Sequence, residues 1–117
     1  MKKIYTINEI QNIIVPLAKE YDLAKVYLFG SYARGEADEN SDVDLRLEGA
    51  RCLQDELALC SLIPDALGKE VDILFTEDLR RILNDPKVDD TRRGMTRFFI
   101  RHMRESEVLL YERLPNS

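Results

Sequence analysis

The chain has 117 residues, enough for one hydrophobic core but too few for a core plus a separate substrate-binding domain. Its apolar fraction of 44% and charged fraction of 33% are those of an ordinary globular protein, and no apolar run approaches the ~20 residues needed to span a bilayer. The net charge of −5 argues against binding nucleic acid through the overall field, and no stable direct nucleic-acid contact is expected.

The start, Met1-Lys2-Lys3-Ile4-Tyr5, lacks the apolar stretch and cleavage site of a signal peptide, so a cytoplasmic location is expected. Thr6-Ile7-Asn8-Glu9 has the form of a capping box ahead of Ile10, Ile13, Ile14 and Leu17, which recur at helical spacing. A first helix is therefore predicted, with a kink or an irregular last turn at Pro16. Lys25 to Phe29 is β-rich and stops at Gly30-Ser31, which predicts a strand. Tyr32-Ala33-Arg34-Gly35 after it can open a short helix.

Glycine admits a phosphate close to the backbone, and free N–H groups at a helix start attract anions. Gly-Ser is also a common turn dipeptide, so taken alone it favours a simple strand-to-helix turn. Residues 35–42 are polar and turn-forming. From Val43 to Leu47 the pattern alternates, with Val43, Leu45 and Leu47 on one face and Asp44 and Arg46 on the other. Asp42 and Asp44, two apart, point the same way on a strand and can share hard cations such as Mg²⁺.

A helix is predicted next, with Leu53, Leu57 and Cys60 on its apolar side and its end near Pro64. Cys52 and Cys60 lie about 12 Å apart along such a helix at ~1.5 Å per residue, beyond disulfide reach. Both are expected to be small core residues. Gly68 turns the chain into a third strand, Glu70 to Phe75. Asp72 sits there among apolar neighbours, either facing solvent on an edge strand or held by a metal or cation.

Beyond Thr76 the pattern weakens. Asp85-Pro86 and Asp89-Asp90 mark a loop. Met95, Phe98, Phe99 and Met103 then fall at helical spacing, and Val108 to Tyr111 forms a short final strand. The single histidine, His102, has no obvious nucleophile or zinc-spaced neighbour, which makes a zinc site and a Ser-His-Asp triad poor candidates. Arg93, Arg97, Arg101 and Arg104 form one helical stripe, with Arg92 beside it. This is read as the polar side of an amphipathic helix, with partner docking as the functional alternative. The whole pattern predicts an α/β (α+β) fold, a small mixed sheet flanked by helices.

A phosphate-cradling turn, a carboxylate pair on the next strand and a third carboxylate on the one after combine into a two-metal phosphoryl-transfer site. Leu28-Phe29-Gly30-Ser31-Tyr32-Ala33-Arg34-Gly35-Glu36-Ala37 followed by Ser41-Asp42-Val43-Asp44-Leu45 resembles the signature of the polymerase-beta-type nucleotidyltransferases. It is most similar to the minimal, stand-alone members often encoded beside a HEPN-domain partner. The match covers about residues 7–75, with an echo at Ser106 to Tyr111.

The resemblance implies one nucleotidyltransferase domain over 1–117, with an atypical loop and helix tail from about residue 85. It implies that Gly30 and Ser31 bind phosphate and that Asp42, Asp44 and Asp72 bind two Mg²⁺ ions. Arg34 is the further candidate for the polyphosphate of ATP. It also implies an antitoxin that moves AMP from ATP onto a tyrosine of a HEPN ribonuclease. The segment from Asp85 to Arg97 is longer, more charged and more loop-like than expected of a minimal member. Two other readings stand at this point: a transferase acting on a small molecule such as an aminoglycoside, and a binding protein that covers a toxin without catalysis.

Overall fold

The structure, a computed structural model, describes residues 3–115. Helix α1 (Ile7–Glu20) begins at the capping box: Glu9 N–H donates to Thr6 Oγ1 at 3.1 Å, and Thr6 N–H to Glu9 Oε1 at 2.9 Å. The helix runs through Pro16 to Glu20 and buries Ile10, Ile14 and Ala18. Strand β1 (Lys25–Phe29) follows, then the short helix α2 (Gly30–Arg34). After the polar loop come strand β2 (Val43–Glu48), helix α3 (Leu53–Leu67) and strand β3 (Val71–Phe75). Helices α4 (Thr76–Asn84) and α5 (Asp90–Ser106) lead into strand β4 (Val108–Glu112).

The sheet order is β3-β2-β1-β4. β1 pairs antiparallel with β2 and β4, whereas β2 and β3 are parallel, joined through α3. The sheet is therefore mixed, as the sequence predicts. Alternation sorts its two faces. Val26, Leu28, Val43, Leu45 and Leu47 are fully buried and form one core with Ile10 and Ile14 of α1 and Leu59, Ile63 and Leu67 of α3. The opposite face carries Tyr27, Phe29, Asp44 and Arg46, and α4 and α5 cover part of it.

Several expectations need correction. Helix α3 does not stop near Pro64 but ends at Leu67, where Gly68 takes a left-handed conformation (φ +65°). It docks through Leu59, Ile63 and Leu67, which leaves Leu53 and Leu57 exposed. Cys52 and Cys60 are exposed thiols rather than core residues. Both stripes of α3 are apolar, and packing against the sheet decides between them. Helix α4 starts without a side-chain cap, its N-cap being Phe75, and only Glu77 and Asp78 in its first turn announce it. The charged stretch after Asp85 is loop only up to Asp89; Asp89 then caps α5 by accepting from Arg92 N–H at 2.7 Å. Of the apolar set predicted to bury α5, only Met103 is buried; Met95, Phe98 and Phe99 are exposed.

Candidate active site

The end of β1 places the site. Phe29 pairs with Asp44 on β2, and Asp44 pairs with Asp72 on β3, so the three positions form one row across the sheet. The chain leaves β1 at Gly30 with φ +72°, a backbone conformation that side chains resist. A Cβ at Gly30 would fall 2.1 Å from Asp44 Oδ2. The Asp44 carboxylate occupies the space that any other residue at position 30 would need. Ser31 is half-buried in the first turn of α2, and Gly35 closes that helix in the left-handed region.

Asp42 is half-buried just ahead of β2. Asp44 is half-buried as well, and its carboxyl is pushed up to about 6. Burial is the main cause, followed by a hydrogen bond and charge repulsion from Asp72 and then the charge of Asp42. Arg34 opposes the shift from a distance. It is exposed, and its Nε pairs with Glu36 Oε2 at 3.0 Å. Asp72 is exposed on the edge strand.

The structure thus brings Asp42, Asp44, Asp72 and Gly30 to one end of the sheet, with Ser31 one residue further and Arg34 within electrostatic reach. Among the described residues no three Asp, Glu, His or Cys side chains close into a ready metal cluster. The donor chemistry nonetheless fits a hard cation: all three groups are carboxylates, and a cation among them relieves the crowding of negative charge that raises Asp44.

Periodicity gave no warning of two neighbouring features. One is a cavity of 810 Å³ that Asp42 shares with Lys3, Tyr5, Ser41, Lys69 and Glu70. Its walls come from the chain start and two turns, so no local pattern announces it. The other is Arg46, only 4% exposed although charged. Its guanidinium stacks over Tyr27 (4.1 Å), donates to Thr76 Oγ1 (2.8 Å), and makes bidentate contact with Glu107 (2.9 and 3.0 Å from Nη2).

With this geometry in view, the chain's relationships are consistent with it. The model of the nucleotidyltransferase domain family matches residues 8–100. The chain belongs to that family and is a nucleotidyltransferase. MJ0435 of Methanocaldococcus jannaschii, a candidate protein adenylyltransferase, is 37% identical over 81 residues, 68% of this chain and 87% of that one. The protein adenylyltransferase MntA of Thermococcus cleftensis is 33% identical over 81 residues, 64% of this chain and 82% of that one.

Among solved structures, a minimal nucleotidyltransferase superposes with a TM-score of 0.59 at 23% identity, over 89% of this chain and 95% of the other. A chain of a toxin–antitoxin complex called MntA–HpeT gives 0.58 at 20% identity, over 91% and 75%. No helix among the described residues is long and apolar enough to cross a membrane.

Proposed function

We propose that the chain transfers AMP from ATP to the hydroxyl of a tyrosine on a HEPN-domain toxin, and so acts in the cytoplasm as that toxin's antitoxin. The observation that carries this reading is the row Phe29–Asp44–Asp72, with Gly30 pressed against the Asp44 carboxylate. The activity named for the two archaeal relatives, and the toxin–antitoxin complex with the same fold, support the choice of a protein acceptor.

In this reading Asp42, Asp44 and Asp72 are the residues that would hold two Mg²⁺ ions. When bound, the ions supply charge neutralisation to the polyphosphate and the acceptor oxygen. Gly30 makes room for the Asp44 carboxylate and, having no side chain, keeps the backbone at the head of α2 open to a phosphate; Ser31 would donate its hydroxyl there, and Arg34 would approach the polyphosphate in exchange for Glu36. The tyrosine oxygen attacks the α-phosphorus, the bond to the bridging oxygen breaks, and pyrophosphate departs. Asp72, exposed at the sheet edge, takes the proton from the attacking hydroxyl.

Incubating the protein with Mg²⁺, ATP and the product of any adjacent gene, a HEPN-domain protein on this reading, tests it by intact-mass measurement. The expected result is an AMP adduct on a tyrosine that is lost when Asp42→Ala and Asp44→Ala are combined. Tight binding with no adduct under any nucleoside triphosphate defeats it.

A further inference from the structure

Helix α5 leaves half its circumference unpartnered. Met95 (68% exposed) and Phe98 (69%) stand out from it, and Phe98 stacks on His102 at 6.1 Å between ring centroids. Two shallow cavities of 420 and 580 Å³ run along this side, one between Leu79 and Ile82 of α4 and Met95 and Phe99 of α5, the other over Gly94, Phe98 and His102. Beside them lie Arg97, Arg101 and Arg104, all exposed and without an acidic partner among the described residues. Arg93 is different: it binds the carbonyls of Leu83, Asp85 and Val88 and holds the α4–α5 hairpin together.

The position of this face gives it meaning. Phe99 packs edge-on against Phe29 at 6.2 Å, and Phe29 pairs with Asp44. The apolar ridge therefore begins where the carboxylate row ends. A macromolecule seated on it can also reach Asp44 and Asp72.

We propose that the exposed side of the α4–α5 hairpin is the docking surface for the acceptor protein, which meets it with an apolar patch bordered by carboxylates. The proposal rests on the reading of the chain as a protein adenylyltransferase. Charge decides the occupant. A second copy using the same face brings the same surplus of arginines to the contact, which Asp89 and Asp90 at the start of α5 offset only in part. RNA satisfies the arginines but not the apolar centre of Met95 and Phe98, and it meets a chain of net charge −5. An acidic protein surface satisfies both.

The test uses two double variants, Met95→Glu with Phe98→Glu and Arg97→Glu with Arg101→Glu, all at exposed positions, with thermal melting as the folding control. Binding to the acceptor protein of the adduct test, a HEPN-domain protein on this reading, is measured by calorimetry, and transfer kinetics are followed with that protein as acceptor. Each pair is expected to weaken binding at least about tenfold and to raise the acceptor KM in step, with the affinity for Mg-ATP unchanged. Unchanged acceptor affinity in both variants overturns the proposal. So does a wild-type homodimer that the Phe98 variant dissociates without effect on the acceptor, or a labelled RNA that occupies the face in its place. Weakened binding in the variants, together with no AMP adduct from the wild type, keeps the docking face and removes the transfer reading. An adduct formed normally by both variants does the reverse.

Discussion

Gly30 and Asp44 depend on each other for space. With φ at +72° and the Asp44 carboxylate 2.1 Å from a would-be Cβ, Gly30→Ala must either strain the turn or turn the carboxylate away. The left-handed backbone alone costs about 1–2 kcal/mol for a residue with a side chain. The expected outcome is a modest fall in melting temperature with AMP transfer reduced by about a hundredfold or more, as when one member of a preorganised charge-stabilising set is displaced. Circular dichroism and a transfer assay on one sample check both halves.

Asp44 itself carries a pH signature. Its folded-state pKa of about 6 lies above the ordinary value of 3.8, so between those values the folded state binds more protons than the unfolded chain. Stability of the metal-free protein should then fall as pH rises from about 4 to 6, with the loss complete above that window. Asp44→Asn removes the loss. In EDTA the variant should melt higher than the wild type at pH 7.5 and equal to it at pH 4, while transferring no AMP. A variant that melts lower at pH 7.5 makes the carboxylate structural.

Among the elements, the buried Arg46–Glu107 pair ties β2 to the junction of α5 and β4, with Thr76 at the head of α4 as a further acceptor. Glu107→Ala leaves a guanidinium that is 4% exposed without its main partner. Breaking one side of such a pair costs about 3 kcal/mol or more, and urea unfolding should read a loss of that size. Helix α3 offers a second comparison. Leu59→Ala, in the core, should cost about 2–5 kcal/mol, whereas Leu57→Ala, on the exposed side, should stay within about 0.5 kcal/mol.

The same elements mark how far the sequence could be read. The capping box at Thr6, the strand ending at Gly30 and the alternation from Val43 to Leu47 are local chemistry, and each emerged where expected. The docked face of α3 was illegible because two neighbouring stripes are both apolar. Helix α4 was hard to read because it follows β3 directly, with the strand residue Phe75 as its N-cap and no side-chain cap. The three acids could be named from spacing and resemblance. That Asp72 stands beside Asp44 follows from the parallel register of β2 and β3, which is set by contacts distant in sequence.

At the scale of the molecule, the radius of gyration is 14.7 Å, with extents of 44 × 34 × 24 Å. A compact chain of this length is expected nearer about 13 Å. The α4–α5 hairpin is the segment that buries least: Thr76 is the only buried residue of α4 and Met103 the only one of α5. Few buried contacts mean low local stability. Hydrogen exchange is expected to be fastest in 77–98, slowest in β1 and β2, and to slow in the hairpin when the acceptor protein binds. Uniform exchange across the chain would contradict this ranking.

Strand β2 supplies the core with Val43, Leu45 and Leu47 and the opposite face with Asp44 of the site and the buried Arg46, on alternate residues. A slip of one residue against β1 would push carboxylates into the core and leucines into the site. A misregistered molecule therefore cannot be a stable but idle enzyme; it loses its core and its chemistry together. In the proposed role of restraining a toxin, that coupling would sort copies into competent ones and unfolded ones that proteolysis can remove, with few inactive decoys left to occupy the partner.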